Sequence, residues 1–102
     1  MNNHNYGIVI HGGAGTILRS EMTDEKEAKY QSALSEAIEA GYAALQSGAT
    51  AVDAVTKAIV SLENCPLFNA GKGSVFNSKG EHEMDASIMD GRTLHAGAVA
   101  AV

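Results

Sequence analysis

The sequence predicts a layered α/β or α+β domain in the order strand, helix, helix, strand, strand, and three observations predict it. A β-branched run, Ile8-Val9-Ile10, stops at the glycine-rich "HGGAG". Apolar residues then recur three or four positions apart through two long stretches, with a glycine and a threonine between them. After a second glycine-rich segment, "HEMDASIMDGRTLHAGAVAAV" places two short apolar runs on either side of Asp90-Gly91.

The first element is expected to be a short buried strand, because a β-branched run that ends in glycines reads that way. From Thr23 the pattern becomes helical: Tyr30, Ala33, Leu34, Ala37, Ile38, Tyr42 and Leu45 form the apolar face, with Glu27, Lys29, Glu36 and Glu39 elsewhere. Thr23 is the expected N-cap, and Asp24 and Glu25 suit the positive end of the helix dipole. Gly48 is placed to end the helix in a left-handed conformation. Thr50 followed by Asp53 resembles a capping box and starts a second helix with the stripe Val52, Val55, Ile59 and Leu62. Pro66 stops it, so its end is expected near Glu63 or Asn64. Asp90-Gly91 favours a hairpin turn between the last two strands. The helices are expected to pack together on one sheet face. The final strand, small and apolar from Ala96 to Val102, would expose a pairing edge, which leads us to expect that residues 1–102 are one incomplete domain of a larger fold or that another polypeptide covers the edge.

Composition narrows the function. A chain of 102 residues with 45% apolar content suits one small core. The formal net charge of -5, with seven scattered Lys and Arg, argues against nucleic acid as a partner. No apolar run approaches the roughly 20 residues that cross a bilayer, so no membrane is expected. The opening "MNNHNYG" lacks the basic and apolar stretches of a secretory leader, and the lone Cys65 makes no internal disulfide, so the expected compartment is the cytoplasm.

Several motifs bear on chemistry. The backbone N–H groups of His11 to Gly15, following a strand, could cradle a small anion; the alternative is a tight turn whose glycines let backbones pack closely. The dinucleotide pattern fails at Leu18 and the phosphate-loop pattern fails at Pro66. His82-Glu83 begins a helical zinc motif that would have to close at Ala86, where no histidine stands. Cys65 lacks the flanking signature of a nucleophile, and a buried inert thiol is the simpler reading. Asp90 suits an Asx turn. Asp85, among Met84, Ala86, Ile88 and Met89, requires a hydrogen-bond or charge partner and reads as a structural anchor.

Taken together, "IVIHGGAG", "LENCPLFNAGKGSVFNSKGEHEMDASIMDG" and "AGAVAAV" resemble the amino-terminal part of the plant-type asparaginase and isoaspartyl peptidase family, from about Gly7 to Val102. The resemblance implies an N-terminal-nucleophile hydrolase. Such a fold is a four-layer αββα sandwich made as one precursor that cuts itself into α and β subunits and assembles as a dimer of αβ pairs. It implies hydrolysis of L-asparagine and of β-aspartyl dipeptides by a threonine freed at the start of the β subunit, whose own amino group serves as the base. Thr16, Thr23, Thr50, Thr56 and Thr93 do not match that threonine, so no catalytic nucleophile is assigned within this chain.

For the second glycine-rich segment the resemblance implies a stabilisation loop that holds a structural sodium ion through the main-chain carbonyls of Leu62, Glu63, Cys65, Phe68, Ala70 and Lys72. No cofactor is implied for catalysis. Asn69 is implied to back the active-site threonine, and His11, Gly12 and Gly13 resemble a strand-end loop near the same pocket, where glycines can respond to the nucleophile. Two function classes remain open on the residues. One is the α-subunit portion of an amidohydrolase that needs its β subunit, or the remainder of the precursor, as partner. The other is a stand-alone α/β module that binds a small anion at His11–Gly15 without hydrolysis.

Overall fold

Thr23 starts the first helix as its spacing requires. Its backbone is extended and its hydroxyl accepts the Lys26 N–H at 3.1 Å. The computed structural model describes residues 5–13, 19–68 and 70–102, and in it helix α1 runs over Asp24–Gln46. Gly48, at φ +90°, turns the chain out of the helix. The Gly48 N–H donates to the Leu45 carbonyl at 3.1 Å and the Ala49 N–H to the Ala44 carbonyl at 3.0 Å, the paired bonds of a Schellman motif. Helix α2, Ala51–Glu63, begins two residues later, and the Thr50 hydroxyl accepts the Asp53 N–H at 3.2 Å. Both N-caps, the glycine terminator and the stop before Pro66 agree with the sequence expectation.

The two helices lie against each other through small residues. Ala37, Ala44, Ala54 and Ala58 are buried, as is Gly41 in the middle of α1. A β-carbon on Gly41 would stand 2.9 Å from the Ala54 carbonyl oxygen and 3.4 Å from the Ala58 side chain, and would collide with the end of Ile8. The missing side chain is therefore what lets the backbones approach, despite the cost of glycine in a helix interior. The larger buried side chains gather at the end of this seam, where Leu62 and Phe68 join Ala37, with Ile10, Tyr30, Ala33, Leu34, Cys65 and Leu67 packed around them.

Strand β1, Ala86–Asp90, pairs antiparallel with β2, His95–Val99, in the register Ala86↔Val99 to Asp90↔His95. Asp90 is the last residue of β1 rather than a turn residue. Its side chain accepts the Arg92 N–H at 3.0 Å, the expected Asx turn, and its carbonyl accepts the Leu94 N–H at 2.7 Å. Leu94 takes the left-handed backbone at φ +61° that closes this four-residue loop. The last strand does not run unbroken to Val102. Ala101 has φ +52° and its N–H donates to the Asp85 carboxylate at 2.9 Å, after which Met84 and Val102 resume pairing through two bonds of 3.1 and 2.9 Å. Asp85 is thus an anchor, as its apolar neighbours suggested, although it is exposed rather than buried.

Two expectations of the fold need correction. Ile8-Val9-Ile10 is not a strand among the described residues, because its backbone joins no ladder. The segment keeps a period of two nonetheless: Ile8 and Ile10 are half-buried on the helix side, while Val9 is 92% exposed. The helices also do not share a sheet face: α2 reaches β1, whereas α1 touches neither strand. Between α2 and the hairpin lies an open groove lined by Val55, Ile59, Val60, Ile88, Met89 and Val99. The described architecture is therefore a small mixed α/β unit of two helices and a two-stranded antiparallel sheet.

Gly41 yields a prediction that runs against helix propensity. At an ordinary helical site Gly→Ala stabilises by about 1 kcal/mol. Here the close Ala54 carbonyl turns that gain into a loss of about 1–3 kcal/mol from overpacking. The urea midpoint of Gly41→Ala should fall below that of the parent.

Candidate functional site

The stretch from the end of α2 to Ser74 folds back on itself, and backbone oxygen crowds its interior. Leu62 and Glu63 close α2, and the Leu62 carbonyl accepts the Cys65 N–H at 3.1 Å. The Cys65 carbonyl accepts the Phe68 N–H at 3.4 Å, the Phe68 carbonyl accepts the Ala70 N–H at 2.8 Å, and the Ala70 carbonyl accepts the Gly73 N–H at 3.0 Å. Gly71–Gly73 then forms a single 3-10 turn. The carbonyls of Cys65, Phe68 and Ala70 each keep a second lone pair. The Glu63 and Lys72 carbonyls accept no backbone hydrogen bond from the described residues.

Two glycines sit where no side chain could. Gly71 has φ +51°, and a β-carbon there would collide with the Glu63 carbonyl oxygen and stand 2.7 Å from the Glu63 β-carbon. A β-carbon on Gly73 would run into the Phe68 carbonyl oxygen and lie 2.5 Å from that of Pro66. Main-chain oxygens of Glu63, Pro66 and Phe68 thus converge on the glycine turn, while Lys72 between the glycines is exposed. The Pro66 carbonyl was not anticipated from sequence. A carbonyl contact leaves no mark in the side chains, so only the fold reveals it.

These donors fit a hard cation. They are all oxygens, held by a backbone that the two glycines let close, and all are uncharged, which suits a monovalent ion better than a divalent one that draws carboxylates. No group of three His, Cys, Asp or Glu side chains among the described residues could hold a metal ion. The Cys65 thiol is free and half-buried.

The other predicted site residues fall into two groups. His11, Gly12 and Gly13 are exposed, yet the Gly12 backbone lies against the second segment: a β-carbon there would stand 3.2 Å from Leu34 Cδ2 and 3.3 Å from Phe68 Cε1. The fold therefore brings "HGG" to the carbonyl loop, and close packing accounts for Gly12. Asn69 lies outside the described residues, as do Ala14 and Gly15 of the anion-loop reading and Thr16. The four remaining threonines are engaged locally. Thr23 and Thr50 cap helices, the Thr56 hydroxyl donates to the Val52 carbonyl at 2.7 Å, and the Thr93 hydroxyl accepts the His95 N–H at 3.3 Å. Sequence spacing did not single out His82 beyond the incomplete zinc pattern. Its Nδ1 is 2.9 Å from Ser74 Oγ and its ring centroid is 4.3 Å from that of Phe76, so it ties the loop's exit to the return strand at the Phe76↔His82 bridge.

Comparison with known proteins places the chain in a family. The family profile described as asparaginase matches residues 4–102. The chain belongs to the asparaginase family. It is 56% identical over 95 residues to the isoaspartyl peptidase of Salmonella typhimurium, covering 93% of this chain and 30% of that protein. The isoaspartyl peptidase/L-asparaginase of Homo sapiens is 54% identical over 96 residues, with 93% and 30% covered, and that of Danio rerio is 55% identical over 95 residues, with 93% and 29% covered. The chain spans about 30% of the length of these relatives. No helix among the described residues is long and apolar enough to cross a membrane.

The glycine turn provides a direct check on the loop. Gly73→Val should lower the melting temperature markedly, since it forces apart two carbonyl-bearing strands of backbone, at a cost in the upper range for single substitutions, about 3 kcal/mol or more. Lys72→Ala, on the same turn but facing solvent, should stay within about 0.5 kcal/mol. Similar effects from the two would dissolve the case for a closed carbonyl loop.

Proposed function

We propose that residues 1–102 form the α-side portion of a threonine-nucleophile amidohydrolase that converts L-asparagine to aspartate and ammonia and cleaves β-aspartyl dipeptides. The observation that carries this reading is the 54–56% identity to proteins named isoaspartyl peptidase or isoaspartyl peptidase/L-asparaginase. In this reading the chain is one incomplete domain of an αββα sandwich, with α1 and α2 in one helical layer and the hairpin in a sheet that further strands complete. The open apolar groove between α2 and the hairpin supports such a covering layer. The partners are the chain's own β subunit, or the rest of the uncleaved precursor, and a second αβ pair in a cytoplasmic dimer.

The chemistry follows from an amino-terminal threonine in the complementary part. Its α-amino group takes the hydroxyl proton, the oxygen attacks the side-chain amide carbon, and hydrogen-bond donors hold the oxyanion. The C–N bond breaks, the nitrogen leaves as ammonia with the transferred proton, and water cleaves the resulting ester to release aspartate. The engagement of Thr23, Thr50, Thr56 and Thr93 in local backbone bonds supports a nucleophile elsewhere.

This chain's part is positional. The carbonyls of Leu62, Glu63, Cys65, Phe68, Ala70 and Lys72 would hold a sodium ion, and the crowding of oxygens at Gly71 and Gly73 supports that assignment. Bound there, the ion supplies charge that offsets the mutual repulsion of gathered carbonyl dipoles. Asn69 then backs the threonine, and His11, Gly12 and Gly13 border the same pocket, which agrees with the contact between Gly12 and Phe68.

Two measurements test the reading. The protein at the length of its relatives should release ammonia from asparagine and aspartate from a β-aspartyl dipeptide, whereas residues 1–102 alone should release neither; hydrolysis by the short chain would overturn the assignment. Replacing sodium by choline at constant ionic strength should lower the melting temperature of the longer protein, since sodium present at 100 times its dissociation constant stabilises by about 2.7 kcal/mol. An unchanged melting temperature would remove the ion from the proposal and leave the hydrolase reading standing.

A further inference from the structure

Phe68 faces two ways. Its carbonyl oxygen lies against Gly73 inside the carbonyl loop and accepts the Ala70 N–H. Its ring leaves the loop and packs with Ala37 and Leu62, only 6% of the residue remaining exposed. The ring stands edge-on to Tyr30, with centroids 5.9 Å apart and planes at 80°. It also forms one wall against the Gly12 backbone, where the atoms nearest a β-carbon would belong to Leu34 and Phe68. Gly13, the next residue, has φ +128°, a conformation open in practice to glycine alone.

We propose that Phe68 is a positioning residue that transmits the state of the carbonyl loop to His11–Gly13. The proposal rests on the cation reading above. A cation that draws the Phe68 carbonyl inward fixes the backbone from which the ring springs. The ring is wedged in a packed interior that does not absorb displacement, so its position is set along with the carbonyl. Gly12 has no side chain to buffer the contact and follows the ring. Through this link the loop's occupancy biases the conformation of the glycine segment without any ligand of its own there.

Hydrogen exchange on the protein at family length, in sodium chloride and in choline chloride of equal ionic strength, tests the link residue by residue. In the parent, sodium should slow exchange several-fold both at Ala70–Ser74 and at His11–Gly13. Phe68→Leu should keep the first response and lose the second, and Phe68→Tyr, which retains the ring, should restore it. Kinetically, Phe68→Leu should lower kcat about tenfold with little change in KM, since it disturbs the support of the reaction rather than substrate binding.

If the loop responds to sodium in the parent and His11–Gly13 does not, or if the glycine segment still responds in Phe68→Leu, the Phe68 link is wrong while the cation reading survives. If neither segment responds in the parent, the cation reading fails and takes the link with it. Should Phe68→Leu fold poorly, Gly12→Ala approaches from the other side. The added methyl presses on the ring and should weaken the sodium response at Ala70–Ser74, and an undiminished response there overturns the proposal.

Discussion

The structure depends on a helix pair whose interface is made of almost nothing but backbone and methyl groups. Gly41 presents bare backbone to Ala54 and Ala58, and Ala37, Ala44, Ala54 and Ala58 supply most of the buried apolar residues. Such an interface buries little apolar area per residue, so its stability rests on close contact along the seam rather than on large side chains. Once the helices are locked at that distance, the chain leaving α2 must turn back over the end of the seam, and Leu62 and Phe68 plug it. The plug sets where the carbonyl loop stands and what the amino-terminal segment packs against.

From that placement the oxygen-lined loop follows. A run of main-chain carbonyls pointing toward one region is electrostatically unfavourable, since like dipole ends repel, and most chains avoid it by extending into water. Here Gly71 and Gly73 permit a closure that any side chain would prevent, with the carbonyl oxygens of Glu63, Pro66 and Phe68 packed against them. The cation proposed above rests on this arrangement. Lys72 stands in the middle of the loop with its side chain exposed.

The hairpin carries the opposite imbalance. Ile88, Met89 and Val99 are each about half exposed and, with the equally open Val55, Ile59 and Val60 of α2, line one groove. Two strands with an apolar face gain little stability alone, and three or more strands or an added layer are the usual remedy. The device that resumes pairing beyond Ala101, in which the Asp85 carboxylate accepts the Ala101 N–H, extends the sheet's edge by a further pair.

Much of this was determined by the sequence alone, and it is the part ruled by neighbours along the chain. Thr23, Thr50, Gly48 and Pro66 set the helix bounds because caps and terminators act within one turn, and Asp90 set the hairpin because an Asx turn closes over two residues. The glycine turn and its family likeness were legible for the same reason. Only the tertiary structure decided that Ile8 to Ile10 lies on the helices without a strand partner, that α1 stays clear of the sheet, and that Pro66 adds its carbonyl to the loop. Pairing of an extended segment depends on which edge is free to receive it, and the direction of a carbonyl depends on backbone angles that many side chains share. Neither is written in residue type, and both are settled by what the rest of the chain leaves room for.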